Sequence, residues 1–235
     1  MIKNYIFELD QSLLMIDNQK FLKLYYQGIG KVFEKENIKA EEGLKHIYKV
    51  LMILLNNNGQ QTNETLFWNY MKKVFPNLQA EPFVNYYEND YNLIKKDVDN
   101  NPYPRLIIKE LNKKGYKVVI ATNPLFPKIA LVKRLEWAGI KEKDYAYIST
   151  YENSTYCKPK KEYFLEIINK LNLNIQESIF IGNDITDDFS DLPSDLKTLL
   201  VTDYLINNEN KEINIESLTI KELYQRIKLL PKLYS

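Results

Sequence analysis

The sequence predicts a three-layer, doubly wound α/β fold, a parallel sheet between two helical layers, interrupted by a helical insert. Three observations carry this. From residue 101 onward, short apolar runs alternate with amphipathic stretches of about a dozen residues, the pattern of βαβ units. A lone apolar run at residues 3–9 ends in acidic residues, as a buried parallel strand does when it delivers side chains at its C-terminal end. Between the two, residues 18–100 show helical spacing and no strand pattern.

Taken in order, residues 3–9 form the first strand. In the insert, Phe21, Leu22, Leu24, Tyr25 and Ile29 fall at helical spacing, as do Leu44, Ile47, Tyr48, Leu51 and Leu54. Residues 65–75, with Leu66, Trp68 and Met71 as apolar positions, and residues 82–98 give a third and a fourth helix. After Asn101 and Pro102, a helix at 104–114 leads through Gly115 to a strand at 117–121. A helix at 127–138 ends at Gly139, a residue suited to a helix C-terminus. A strand at 145–149, a helix at 160–171, a strand at 178–181, an acidic turn, a last clear strand at 198–201 and a final helix at 218–230 complete the chain. The expected division is a core of residues 1–15 and 101–235 and a helical insert of residues 16–100.

Composition excludes several classes of function. Lysine and arginine number 32 against 31 aspartates and glutamates, and a formal charge of +1 gives no electrostatic case for nucleic acid or an anionic membrane. The longest apolar run, residues 50–55, is far too short to span a bilayer. Cys157 is the only cysteine, so no intrachain disulfide can form, which fits a reducing cytoplasm. One cysteine and one histidine, His46, do not make a zinc site of the usual kind. His46, Trp68, Trp137 and the tyrosines of the insert read as boundary and core residues.

In open parallel sheets, ligands sit outside the C-terminal ends of the strands. After the first strand come Glu8, Asp10 and Ser12. After the second come Thr122 and Asn123, before a helix comes Lys158, and after the fourth strand come Asn183, Asp184 and Asp188. Carboxylates suit a hard divalent cation such as magnesium. A lysine neutralises phosphoryl charge, hydroxyl and amide groups bond phosphoryl oxygens, and two carboxyl groups serve as nucleophile and as acid and base. Each segment alone is ordinary, since an acidic turn often caps a helix and a lysine before proline is often only solvated.

Together the four segments resemble the four motifs of the haloacid dehalogenase superfamily. The run Phe7, Glu8, Leu9, Asp10, Gln11, Ser12, Leu13, Leu14 is similar to that family's Phe-Asp-Leu-Asp-Gly-Thr-Leu-Leu. Thr122 falls at its second motif, Lys158 and Pro159 at its third, and Gly182, Asn183, Asp184 and Asp188 at its fourth. The resemblance implies a phosphatase-like enzyme with an α-helical cap, acting on a small phosphorylated molecule with Mg2+. It implies Glu8 at the nucleophile position, Asp10 as general acid and base, and Ser12, Thr122, Asn123 and Lys158 around phosphate. Magnesium would take the Glu8 carboxylate, the Asp10 carbonyl and Asp184, with Asp188 supporting the metal. Three positions depart from the pattern: Glu8 replaces aspartate, Gln11 replaces glycine and Ser12 replaces threonine. The added methylene of Glu8 sets its carboxylate roughly 1.5 Å further out, and misplacement of about 1 Å costs on the order of 10²-fold in rate. Two readings follow: a slow phosphatase, or a protein that binds metal and a phosphorylated ligand, or another protein, without efficient turnover.

Overall fold

The computed structural model describes residues 1–233 of the chain. Strands β1 (Asn4–Phe7), β2 (Lys117–Ile120), β3 (Tyr147–Ile148), β4 (Ser178–Gly182), β5 (Lys197–Val201) and β6 (Ser217–Leu218) pair in parallel in the order β3-β2-β1-β4-β5-β6. The first strand is therefore central, and the chain switches direction beside it. Phe7 stands level with Ile120 of β2 and Ile181 of β4. Residues just past these three points share one rim of the sheet.

Side-chain alternation along β1 builds the layers. Tyr5 and Phe7 join Ile107 and Leu111 of α5 (Tyr103–Lys113), Leu131 and Leu135 of α6 (Lys128–Trp137) and Leu223 and Ile227 of α8 (Ile220–Leu229). Ile6 points to the opposite face and packs with Tyr163, Phe164 and Ile167 of α7 (Lys161–Lys170). Each such side chain, fully buried, contributes about 1.5–3 kcal/mol. Buried Lys114 fastens α8 by donating from Nζ to the carbonyls of Ile227 (2.9 Å), Lys228 (2.7 Å) and Leu230 (2.7 Å) at that helix's C-terminus.

Between β1 and α5 lie α1 (Asn18–Lys35), α2 (Ala40–Leu55), α3 (Asn63–Val74) and α4 (Glu81–Glu88). Asp17 caps α1 by accepting the Lys20 amide at 2.8 Å, and Thr62 caps α3. The predicted fourth helix, 82–98, divides: α4 stops at Glu88 and a 3-10 helix, Asp90–Asp97, follows. Asparagine chemistry accounts for the break. Asn89 and Asn92 turn their amides back onto the carbonyls of Asn85 (2.9 Å) and Glu88 (3.1 Å), which competes with regular helix formation. The helical segment is also fastened to the sheet side. The amides of Asn63 and Glu64 donate to the carbonyls of Ser154 (3.0 Å) and Tyr151 (2.8 Å), and the buried Asn63 side chain donates to the Pro124 carbonyl at 3.0 Å.

Two further expectations are corrected. The predicted helix 218–230 begins only at Ile220, because Thr219 and Glu222 form a capping box and Leu218 belongs to β6, a sixth strand. The strand predicted at 145–149 pairs only at Tyr147–Ile148. Beyond it Asn153 takes over, accepting the Thr150 amide (2.9 Å) and donating to the Ile148 carbonyl (2.9 Å). Among the described residues, no helix is long and apolar enough to cross a membrane.

Candidate active site

The rim of β1, β2 and β4 gathers most of the candidate residues. Glu8 follows β1 directly and is 5% exposed. Its Oε1 accepts the Thr122 hydroxyl at 2.7 Å and the Asp10 amide at 3.2 Å. Its Oε2 accepts Lys158 Nζ. Thr122 is held in turn through its own carbonyl, which accepts Ser149 Oγ at 2.6 Å and the Tyr163 hydroxyl at 2.7 Å. Lys158, 3% exposed, bridges Glu8 to Asp188 Oδ1.

Asp188 is 1% exposed, and its Oδ2 accepts the amides of Asn183 (2.9 Å) and Asp184 (3.0 Å). Gly182 permits this, because a Cβ there would run into the Asp188 carboxylate. Asp184 Oδ1 accepts the amides of Thr186 (2.8 Å) and Asp187 (3.0 Å), so it stabilises the acidic turn. Ser12 donates to Asn183 Oδ1 at 3.0 Å, tying the first-strand loop to the fourth-strand loop. Gln11 takes a φ of 64°, the left-handed conformation that glycine adopts without steric cost. Asn123 lies beside Thr122, and its Oδ1 is buried without a hydrogen-bond partner.

Sequence reasoning missed Arg134. This residue of α6 is fully buried, and its Nη1 donates to Asp10 Oδ2 at 2.6 Å. Its guanidinium lies over the ring of Phe126 (4.2 Å to the centroid) and near that of Phe21 of α1 (5.3 Å). A signal was present, since Arg134 shares the apolar stripe of Ala130, Leu131 and Leu135. A charge on such a stripe requires a buried partner.

Burial raises the pKa of Glu8 to about 7; Lys158 opposes the rise, and Asp188 and Asp10 add to it. Burial works against the charge of Lys158, but Asp188 and Glu8 outweigh it and hold the ammonium well above its ordinary pKa. Lys158 is paired with Glu8 and Asp188 and Arg134 with Asp10, while Asp184 makes no ion pair among the described residues. Among the described residues, no three histidine, cysteine, aspartate or glutamate side chains are gathered as a metal cage. A cage is not what magnesium requires, because it keeps several waters and takes one or two carboxylates besides substrate oxygens. The donor chemistry therefore fits magnesium.

A sequence model of the haloacid dehalogenase-like hydrolases matches residues 14–189. The match begins past Asp10, so Glu8 and Asp10 lie outside it. No curated protein matches the chain. Among solved structures, the chain is similar to a HAD phosphatase from Thermococcus onnurineus, at 19% identity and a TM-score of 0.61, covering 99% of this chain and 100% of that one. It is similar to the magnesium-bound HAD-hydrolase YfnB of Bacillus subtilis, for which interdomain movement is described, at 19% identity and 0.56 over 97% and 99%. It is also similar to CbbY of Rhodobacter sphaeroides in complex with xylulose-(1,5)bisphosphate, at 9% identity and 0.58 over 94% and 96%. These likenesses agree with the doubly wound fold, and the match over residues 14–189 gives the family: the chain belongs to the haloacid dehalogenase-like hydrolases.

Proposed function

We propose that the protein is a slow, magnesium-dependent phosphomonoesterase of the cytoplasm, acting on a small phosphorylated molecule. One observation carries this reading. Three donors from three segments, the Thr122 hydroxyl, Lys158 Nζ and the Asp10 amide, converge on a single anionic group at the strand ends. The anion they now hold is the Glu8 carboxylate. The same donors suit a phosphoryl group, whose oxygens call for convergent hydrogen bonds and a cation.

In this reading, substrate phosphate displaces the Glu8 carboxylate from Thr122 and Lys158. A Glu8 oxygen attacks phosphorus, the bond to the leaving alcohol oxygen breaks, and Asp10 gives that oxygen a proton. Asp10 then removes a proton from water, water attacks phosphorus, and inorganic phosphate leaves with the Glu8 carboxylate restored. Glu8, the Asp10 carbonyl and Asp184 are the groups that would hold magnesium, which would supply neutralisation of phosphoryl charge when bound. Asp188 fixes Lys158, while Ser12 and Asn123 complete the set of groups around phosphate. The helical segment of residues 16–100 serves as a cap that keeps bulk water from the site. Turnover is slow because Glu8 reaches one methylene into the phosphate position and competes there with substrate.

The hold on both Glu8 oxygens also favours a second reading, in which ligand and metal bind without turnover. Hydrolysis of p-nitrophenyl phosphate, with and without magnesium, separates the two. The first reading expects slow, magnesium-dependent release of p-nitrophenol that Asp10→Asn abolishes. Thermal stabilisation by magnesium plus phosphate, with no turnover, would establish the second. No turnover and no stabilisation would end both.

A further inference from the structure

The Arg134 guanidinium is used on one side only. Nη1 is committed to Asp10 Oδ2, while Nε and Nη2, which form the side-on edge of the group, are buried with no hydrogen-bond partner. That edge presents two parallel N–H donors in the spacing of a carboxylate or phosphoryl O–X–O pair. Leaving such donors buried and unpaired is costly, so a residue kept this way calls for an anionic partner. Asp10 Oδ1 is likewise buried without a partner. The site thus holds, within one side chain of the proposed acid and base, two buried guanidinium donors without a partner, with the rings of Phe126 and Phe21 of α1 against the guanidinium. This pair of rings also gives the donor edge a low-dielectric surround, where a charge-assisted bond is strongest.

We propose that Arg134 is a specificity-determining residue: its Nε and Nη2 edge receives a second oxyanion, carboxylate or phosphoryl, carried on the leaving-group portion of the phosphorylated substrate. The inference rests on the phosphomonoesterase reading of the same site. It restricts the substrate class to phosphomonoesters with a second anionic group a few bonds from the ester oxygen. Simple alcohol phosphates leave the edge unpaired. By holding Asp10 and the second oxyanion with one planar group, Arg134 sets the leaving oxygen beside Asp10.

Non-hydrolysable probes test this without turnover. Dissociation constants for ethylphosphonate, phosphonoacetate and ethylene-1,2-bisphosphonate are measured by calorimetry at fixed free magnesium, on the wild type and on Arg134→Lys. The wild type is expected to bind phosphonoacetate, ethylene-1,2-bisphosphonate or both about 10- to 100-fold more tightly than ethylphosphonate. The probe with the larger gain identifies carboxylate or phosphoryl as the second group. Arg134→Lys keeps the charge but not the fork, and is expected to lose the preference, the ratio of its dissociation constants for ethylphosphonate and for the better probe falling to within about threefold of one. A wild type with no preference, or a lysine variant that keeps it, overturns the assignment. If no phosphonate binds at all, the phosphomonoesterase reading fails and takes this inference with it. Should Arg134→Lys not fold, the wild-type Arg134 Nε–H resonance decides, since only Arg105 and Arg226 share its spectral region. It should shift with phosphonoacetate or ethylene-1,2-bisphosphonate and not with ethylphosphonate, and the absence of that difference refutes the proposal.

Discussion

Replacing Lys158 by methionine tests the electrostatic account of the site in the metal-free protein. Lys158 is the cation between two carboxylates, Glu8 and Asp188, that are 5% and 1% exposed. Removing one partner of a buried pair costs about 3–5 kcal/mol, because the remaining charge is left uncompensated. The pH dependence gives the sharper check. Burial raises the folded-state pKa of Glu8 to about 7, against an ordinary 4.5. Below pH 4.5 the group is protonated in both states and contributes no difference. Between 4.5 and 7 the unfolded chain releases the proton and the folded chain keeps it. Wild-type stability therefore falls as pH rises through that window, by about 3 kcal/mol from this group, and levels off above pH 7. Lys158 is what holds the Glu8 pKa down, so in Lys158→Met the fall continues at about 1 kcal/mol per further pH unit. The loss from Lys158→Met should reach about 3–5 kcal/mol at pH 8 and be smaller at pH 5.5 by about 1 kcal/mol. Urea unfolding followed by Trp68 and Trp137 fluorescence, in chelator, at the two pH values measures both numbers. A loss below about 1 kcal/mol, or an equal loss at both pH values, would refute the reasoning.

Other perturbations address the scaffold. Gly182→Ala should destabilise by about 1–3 kcal/mol, since a Cβ would push the Asp188 carboxylate off the amides of Asn183 and Asp184; equilibrium unfolding checks it. Lys114→Met removes a charged donor from three carbonyls and should cost about 2–3 kcal/mol, with hydrogen exchange accelerated first in α8. Arg134→Met leaves Asp10, whose side chain is 35% exposed and so partly screened by water, without its partner and should cost about 1–3 kcal/mol, whereas Asp10→Asn combined with it should cost less than the two single losses added; a double-mutant cycle measures that coupling.

The strands were legible because their residues are apolar and β-branched in short runs bounded by turns, as Val118, Val119 and Ile120 show. Strand β6 was not, because Ser217 and Leu218 form no run and pair only through backbone. The break at Asn89 was hidden for a related reason, since it depends on asparagine side chains returning to backbone carbonyls. At the site, the stock of carboxylates, threonine and lysine could be read because it follows strand ends. Its pairing could not. Nothing in the spacing of Glu8, Thr122 and Lys158 tells that the longer carboxylate takes the hydroxyl and the ammonium for itself. Arg134 escaped notice because it is a charge at an apolar phase of α6, and its partner Asp10 lies 124 positions away along the chain.

The central claim is that Glu8 occupies the place of the attacking group and, by one methylene, slows the reaction of an otherwise competent site. Glu8→Asp tests it most directly. In the variant the carboxylate draws back, and Thr122 and Lys158 become free for phosphate. Magnesium-dependent kcat for p-nitrophenyl phosphate should rise by on the order of 10²-fold over wild type. A folded, magnesium-binding Glu8→Asp protein that turns over no faster than wild type would contradict the account.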